Sequence, residues 1–172
     1  ELAEKNVGPD HPDVASSLDR LGMSLSAQGR LAEAEPLFKR SLAVRESVHG
    51  PDHADVAASL DNLADLLRSQ GRHAEAEPLY KRSLAVREKA LGTGHPDTVT
   101  SMNNLAIAYS SQSRYAEAEP LYKRLLAIKE KALGPDHRDV EASVYNLAQV
   151  YDFLGRSAEA EALYRRSLAI RD

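Results

Sequence analysis

Hydrophobic residues in this chain recur at spacings of three and four, which is typical of amphipathic helices. The first clear stretch has its apolar positions at Val56, Leu60, Leu63, Ala64 and Leu67. A second stretch follows a Gly-Arg pair at 71–72, and its stripe is Ala76, Leu79, Tyr80, Ser83, Leu84 and Val86. No segment shows the alternation of a half-buried strand. The pattern therefore predicts an all-α chain in which a first helix, helix A, is followed by a second, helix B.

This helix pair repeats every 42 residues. The string GPDHPDV at 8–14 returns in related forms at 50, 92 and 134, and histidines recur 42 apart at His11, His53, His95 and His137. A period of about 20 to 50 residues indicates a stacked array, because one helix pair cannot bury its apolar face alone. We therefore predict the tail of a preceding repeat at 1–10, repeats at 11–52, 53–94 and 95–136, and a truncated fourth repeat at 137–172.

Proline, aspartate and glycine mark the predicted helix boundaries. Pro12 and Pro96 stand at the first turn of helix A, where a proline loses no needed N–H, and an aspartate follows each of them. A Gly-Arg pair ends helix A in three repeats, whereas Ser113 takes the glycine position in the third. Pro78 falls about one turn into helix B, where it removes one backbone hydrogen bond.

The motif Gly-Arg-x-Ala-Glu-Ala-Glu-Pro-Leu-Tyr-Lys-Arg and its period resemble the tetratricopeptide repeat of the 42-residue kinesin light chain type. Two residue patterns carry the same resemblance: the large-large-small-large series of helix A, and the small-then-aromatic pair of helix B, Ala76 and Tyr80. The resemblance covers essentially the whole chain. It implies a right-handed superhelix of antiparallel helix pairs that acts as a cytoplasmic, non-enzymatic scaffold and binds a peptide or partner protein on its concave face.

The resemblance also implies which residues line that face, because helix A forms the inner wall in this family. Twelve positions just off the packing stripe are then candidates for a peptide- or protein-binding groove: Arg20, Met23, Asn62, Asp65, Arg68, Asn103, Asn104, Ile107, Tyr145, Asn146, Gln149 and Asp152. Asp19, Ser26, Asp61 and Ser110 are expected to point the same way. An asparagine recurs at 62, 104 and 146, and an amide can hydrogen-bond an extended peptide backbone or bridge neighbouring helices.

The charge on the predicted inner face restricts the class of ligand that this face can bind. Asp19, Asp61, Asp65 and Asp152 oppose Arg20 and Arg68, which gives 2 − 4 = −2. The kinesin light chain resemblance implies acidic, tryptophan-containing ligands, but this charge instead favours a neutral or basic segment with apolar anchors. Helix A varies more than helix B, with 9 against 16 identical positions of 20 between the second and third repeats. Either a varied binding face or drift on an exposed face produces that difference.

Composition excludes several other classes of protein. There are no cysteines and the net charge is −4, from 22 basic and 26 acidic residues that are well mixed along the chain. We therefore expect no disulfide, no thiol nucleophile, no nucleic-acid binding and no membrane binding. GxGxxG and P-loop motifs are absent, and we predict no catalytic residues and no cofactor.

A metal site shared by the four repeated histidines is excluded by distance. Neighbouring repeats are separated by at least the 8–10 Å of helix packing, whereas one ion holds its ligands at about 2 Å. The histidines are expected to bond a turn at the loop-to-helix junction. His49 and His53 flank Gly50-Pro51, which breaks helical i,i+4 pairing between them, so no metal site is predicted.

The two ends suggest self-association. Both fall within helix B, and no polar capping helix is visible at the C-terminal end, which repeat arrays normally need. We expect that uncapped ends can pack against another chain. An architectural self-assembly element without a dedicated peptide ligand is therefore the alternative to a peptide-binding scaffold.

Overall fold

A computed structural model describes residues 11–171 of the chain. The described residues contain α-helices and no strand. The helices are α1 (Pro12–Ala27), α2 (Leu31–His49), α3 (Ala54–Ser69), α4 (His73–Leu91), α5 (Pro96–Ser110), α6 (Tyr115–Leu133), α7 (Arg138–Phe153) and α8 (Ser157–Arg171). The predicted all-α array of helix pairs is confirmed, whereas the predicted repeat tail at 1–10 lies outside the described residues.

Each odd-numbered helix begins at a histidine that caps it. The imidazole Nδ1 of His53 accepts a hydrogen bond from the backbone N–H of Asp55 at 3.2 Å, and the repeated histidines at 11, 95 and 137 do the same at 3.1–3.2 Å. The first backbone N–H groups of a helix lack partners within it, so this acceptor satisfies one of them. The expected role of the histidines at the loop-to-helix junction is confirmed.

The odd-numbered helices end in a left-handed residue. Gly71 has φ +75°, and beyond it the Arg72 N–H bonds back to the Leu67 carbonyl at 2.9 Å. Ser113 adopts the same conformation with φ +58°, and the Arg114 N–H bonds to Tyr109 at 3.0 Å. A side chain in this region is strained, so the third repeat keeps the turn at a cost that glycine avoids.

The chain divides into two compact units, Glu1–Ser101 and Met102–Asp172. In the first unit, α1 pairs with α2 and α3 with α4, and α2 also packs against α3. Small residues allow this close packing: Ala34 and Ala76 are fully buried beside the aromatic rings of Phe38 and Tyr80. At Gly22 even a methyl group would meet the Phe38 ring at 2.8 Å, so the first helix pair requires glycine there.

The second unit is built in the same way. Within it, α6 packs against α7, and α7 pairs with α8. Its buried residues include Leu105, Ala118, Tyr122 and Leu147, at the positions that the small-then-aromatic and helix A patterns predict.

Ion pairs connect successive helix pairs inside each unit. The Arg72 guanidinium, just before α4, reaches Glu35 of α2 at 2.6 Å and Glu75 at 2.7 Å. In the second unit Arg156 bonds Glu119 of α6 at 2.8 Å, and it also pairs with Glu159. The contact spans 37 residues in both units, so it belongs to the repeat.

Candidate peptide-binding surface

A cavity in the first unit lies between α1, α2 and α3, and we call it the α1–α3 pocket. Its volume is about 470 Å³. The lining residues are Met23, Ser26, Gly29, Leu31, Phe38, Asn62, Asp65, Leu66 and Ser69. Four of these side chains are apolar, and four carry a carboxylate, an amide or a hydroxyl group. This composition resembles that of ligand pockets, where apolar groups supply contact and a few polar groups fix orientation.

The second unit has a corresponding cavity, the α5–α7 pocket, at positions 84 residues further along. It is lined by Ser110, Tyr115, Tyr122, Asn146, Gln149, Val150 and Phe153 and has a volume of about 60 Å³. Its small size has a direct cause, since the rings of Tyr115 and Phe153 stack with centroids 4.4 Å apart and planes 4° apart. Leu31 and Ser69 occupy these two positions in the first unit and leave the space open.

A hydrogen-bonded cluster holds one rim residue of the α1–α3 pocket. The Tyr80 hydroxyl donates to Asp65 Oδ1 at 2.5 Å, and Arg68 Nε donates to the Tyr80 oxygen at 3.2 Å. Burial of the ring raises the pKa of Tyr80, and the hydrogen bond to Asp65 adds to that rise. Arg68 also lies 3.4 Å from Asp65, so the negative charge at the rim is partly compensated.

Asp19 and Asp61 do not point to an accessible inner face, so this part of the sequence prediction was wrong. Asp61 is 7% exposed, and its Oδ2 accepts from Arg87 at 2.6 Å and from Ser101 at 3.0 Å. Asp19 is also 7% exposed and accepts from Arg45 at 2.5 Å. Their charges are neutralised inside the helix packing, where an unpaired carboxylate would be costly.

The buried serines around Asp19 and Asp61, which we call the serine layer, form two equivalent hydrogen-bond networks. Ser41 donates to the Ala15 carbonyl at 3.1 Å and lies 3.2 Å from Ser59, which Arg45 also contacts. The second network, 42 residues later, joins Ser83 to the carbonyl of residue 57 at 3.1 Å and to Ser101 at 2.9 Å.

With Asp19 and Asp61 removed, the predicted charge of −2 becomes zero. Asp65 and Asp152 then oppose Arg20 and Arg68, which gives 2 − 2 = 0. The side chains that remain available are therefore close to neutral as a set. Electrostatics alone does not favour a strongly charged ligand.

The twelve candidate groove residues fall into three groups. Met23, Asn62 and Asp65 line the α1–α3 pocket, and Asn146 and Gln149 line the α5–α7 pocket. Arg68 is drawn into the hydrogen-bonded cluster beside Tyr80. The remaining six line neither pocket and are all at least partly exposed: Arg20, Asn103, Asn104, Ile107, Tyr145 and Asp152.

Sequence reasoning missed the residues of helix B and of the helix A ends that shape the pockets. Leu31, Phe38 and Ser69 were not among the candidates, nor were Tyr115 and Phe153. The signal that could have found them is variation between repeats: where the first and second helix pairs carry Leu31 and Ser69, the third and fourth carry Tyr115 and Phe153. Ser26 and Ser110, which were expected to point inward, do line the pockets.

In the described part of the chain, none of the helices has the length and apolar character needed to cross a bilayer.

Comparison with known proteins identifies the relatives of this chain. The sequence profile described as Tetratricopeptide repeat matches residues 1–47, 13–89, 60–131 and 111–172. A solved structure of the nearly identical TPR-like repeats of a kinesin light chain candidate from Podosopora anserina is 29% identical. The match has a TM-score of 0.87 and covers 99% of this chain and 81% of that one. A single-substitution variant of that same protein matches with the same identity and TM-score, over 80% of its length.

A third solved structure, BtubC (BKLC) from P. vanneervenii, shares the fold with a TM-score of 0.84 at 24% identity. That match covers 94% of this chain and 65% of BtubC. A search of curated proteins gave no match.

Proposed function

Since this chain belongs to the tetratricopeptide repeat family, with repeats of the kinesin light chain type, and is thus a protein-interaction scaffold, we propose that it binds a peptide segment of a partner protein. The binding surface is the predicted groove of helix A residues on the concave face. Within the first unit, the α1–α3 pocket receives one apolar side chain of the peptide.

The observation that carries this proposal is the difference between the two equivalent pockets. The α5–α7 pocket is occupied by the chain's own rings, Tyr115 and Phe153, while the α1–α3 pocket is open at about 470 Å³. Apolar walls around an open space of this size gain free energy when an apolar group displaces water, at roughly 25 cal/mol per Å² buried. Phe38 is itself almost fully buried, so packing holds this wall of the pocket in place.

Polar groups at the rim support binding of a peptide backbone. Asn62 is half-buried at the edge of the pocket, and its amide can both donate to and accept from a backbone. Among the described residues, the buried Ser26 hydroxyl oxygen has no hydrogen-bond partner, and it lines the same cavity, so a bound amide N–H or carbonyl can satisfy it. Because the rim charge is balanced, a neutral segment with an apolar anchor fits better than a strongly acidic one.

The test is a peptide-array screen followed by fluorescence anisotropy with the best peptide. The variant L31Y/S69F copies the pair of residues that fills the second pocket, so it closes the first pocket with side chains the fold already tolerates. We expect at least a tenfold loss of affinity, about 1.4 kcal/mol. Asn62→Ala should also weaken binding. The control is A74S, an exposed change in α4 outside the pocket, which should bind as the parent chain does.

Three outcomes decide the proposal. Loss of binding in L31Y/S69F with an unchanged helical circular dichroism spectrum supports it. Full binding by L31Y/S69F and by Asn62→Ala rejects the groove as the binding surface. If no peptide binds at all, the peptide-scaffold function itself is rejected.

Self-assembly is the second candidate function, and exposure of α8 favours it. Leu168 is 57% exposed, whereas Leu84 and Leu126, at the same position in earlier repeats, are 7% and 8% exposed. In those repeats the leucine is covered, so a second copy of the chain can cover Leu168 in the same way. Sedimentation equilibrium should then show association that L168E abolishes. A monomer at high concentration would reject this alternative.

A further inference from the structure

The loop between α2 and α3 brings two imidazoles and a carboxylate together. His49 ends α2 and His53 caps α3, and their rings stack with centroids 4.6 Å apart and planes 20° apart. Asp55 Oδ2 lies 3.7 Å from Nε2 of His49 and 3.5 Å from Nδ1 of His53. One potential ligand atom from each of the three residues lies within 4.8 Å of the other two.

The contact between His49 and His53 corrects the interpretation of this loop from the sequence. Gly50-Pro51 does interrupt the helix, as expected, but it does not separate the two histidines. Gly50 has φ +84°, and the His53 N–H bonds back to the Gly50 carbonyl at 3.4 Å. The tight turn folds the second ring over the first. The break in the helix is therefore what brings the two imidazoles together.

We propose that His49, His53 and Asp55 bind a divalent transition-metal ion of the zinc class. Imidazole nitrogens and carboxylate oxygens are ligands of Zn²⁺ at about 2.0–2.2 Å, which separates ligand atoms around a tetrahedral ion by about 3.4 Å. Two of the distances here already lie within a few tenths of an ångström of that value. All three residues are exposed, so their side chains can rotate to close the remaining distance. The Nδ1 lone pair of His53, which accepts the Asp55 N–H in the cap, would pass to the ion on binding.

The neighbouring charged side chains leave the Asp55 carboxylate available to a cation. The neighbouring acidic groups are engaged elsewhere, since Asp52 pairs with Lys89 and Glu46 with Arg82, each at 2.6 Å. Among the described residues, the ion-pair partners of Asp55 are the two imidazoles. The C-terminal end of α2, with its exposed carbonyl groups, favours a positive charge at His49. The N-terminal end of α3 disfavours a positive charge, and the negative charge of Asp55 offsets that effect.

The second imidazole distinguishes this junction from the later ones. His95 and His137 each face an aspartate in the same way, at 3.8 and 3.9 Å, but positions 91 and 133 carry leucine where His49 stands. Those junctions offer two ligands and this one offers three. Three protein ligands and an open fourth position are the arrangement of an exposed, exchangeable zinc site. Such an ion would tie the end of α2 to the start of α3.

The test is isothermal titration of the metal-stripped full chain with ZnCl₂ in a non-coordinating buffer. We expect one ion per chain and a rise in melting temperature, because an ion that binds the folded state stabilises it. His49→Leu copies the later junctions and should lower the affinity at least tenfold, as loss of one of three ligands requires. Asp55→Asn should lower it as well. The matched control is His95→Asn, which removes another junction imidazole but keeps a side chain suited to capping.

A spectroscopic measurement with Cu²⁺ identifies the ligands directly. Electron paramagnetic resonance of the 1:1 complex should show coupling to two imidazole nitrogens in the parent chain and to one after His49→Leu. The proposal is overturned if the parent chain binds no stoichiometric zinc, or if His49→Leu binds it equally well. It is also overturned if His95→Asn loses as much affinity as His49→Leu, because binding would then be an indiscriminate property of surface histidines.

Discussion

Tyr115 and Phe153 stack face to face, 38 residues apart in sequence, at the two positions where the first helix pairs carry Leu31 and Ser69. The stack reduces the α5–α7 pocket to about 60 Å³, while its counterpart in the first unit keeps about 470 Å³. Two side chains thus change how much open space one position of the fold leaves. The scaffold around them is the same in both units.

Opening the second pocket should create a second binding site. The variant Y115L/F153S gives the α5–α7 pocket the leucine and serine that the α1–α3 pocket has at positions 31 and 69. The cost in stability should be small, about 1 kcal/mol, because Phe153 is 65% exposed and the stack contributes about 0.5–1.5 kcal/mol. Titration calorimetry with the peptide selected for the parent chain should show stoichiometry rising from one towards two.

The reciprocal variant provides the control for that experiment. L31Y/S69F combined with Y115L/F153S should move the binding site to the second unit and leave one site in total. A stoichiometry of one in Y115L/F153S, with the pocket shown to be open by a crystal structure, would contradict the prediction that pocket volume decides occupancy.

Ser113→Gly should stabilise the chain. Ser113 has φ +58°, a conformation that costs a side-chain-bearing residue about 1 kcal/mol and that glycine adopts freely. Glycine loses more chain entropy on folding, so the expected net gain is about 0.5 kcal/mol. Urea unfolding should show a higher midpoint with an unchanged slope.

The converse change tests the same conformation in the second repeat. Gly71→Ser introduces the strained residue at φ +75°, where the side chain has open space around it. A lower midpoint by a similar free energy is expected, about 0.5–1 kcal/mol. If the two substitutions shift stability in the same direction, the backbone explanation is wrong.

Arg87→Leu should strongly destabilise the first unit. Arg87 is 8% exposed and pairs with the buried Asp61 at 2.6 Å, so its removal leaves a buried carboxylate without its cation. Breaking such a pair costs about 3–5 kcal/mol. Chemical unfolding of the variant, compared with the parent chain, measures this loss.

A second substitution separates the charge effect from the loss of packing. Asp61→Asn in the Arg87→Leu background removes the stranded charge, and asparagine is the residue that the third repeat carries at 103. We expect the double variant to regain more than half of the lost stability. A double variant less stable than Arg87→Leu would show that the pair does not act through charge.

Acid should weaken the connection between the first two helix pairs. Hydrogen bonds from Lys39, and then from Arg72 and Gln70, hold the pKa of Glu35 at about 2, below its usual value of about 4.5. A carboxyl group with a lowered pKa stabilises the folded chain above its unfolded pKa, and this contribution is lost as the pH falls from about 4.5 through 2. Between pH 6 and 2, the free energy of unfolding of Glu35→Gln should fall by about 1–2 kcal/mol less than that of the parent chain.

Glu161 supplies the comparison for the acid experiment. It pairs with Arg165 on the same helix at 2.5 Å, and its side chain is 63% exposed. An exposed pair of this kind contributes little, so Glu161→Gln should follow the parent pH curve. Identical curves for Glu35→Gln and the parent chain would show that the inter-helix pairs do not govern acid stability.

The sequence predicted the helices well because their signals are local. The spacing of Val56, Leu60 and Leu63 lies within one helix, and the proline, aspartate and glycine punctuation lies within a few residues of each boundary. Even the junction histidines could be assigned their role, since the bond from His53 to Asp55 spans two residues. Repetition of each signal in several repeats reinforced the prediction.

The site could be predicted only in part because its decisive contacts are not local. Asp61 reads as an inward polar residue on its own helix, and only Arg87, 26 residues later, explains why it is buried. Periodicity also cannot show that Phe153 turns onto Tyr115. Likewise, the meeting of His49 and His53 depends on the backbone turn at Gly50.

The serine layer has a mechanical consequence. Ser41 and Ser83 fix one alignment of neighbouring helices, because their hydrogen bonds fail when the helices slide by an ångström. The third repeat has Leu125 at this position, buried at 3% exposure, and an apolar side chain keeps its contacts through small displacements. We therefore expect sliding between α6 and α7 to meet less resistance than sliding between α2 and α3, where the serine hydrogen bonds must break.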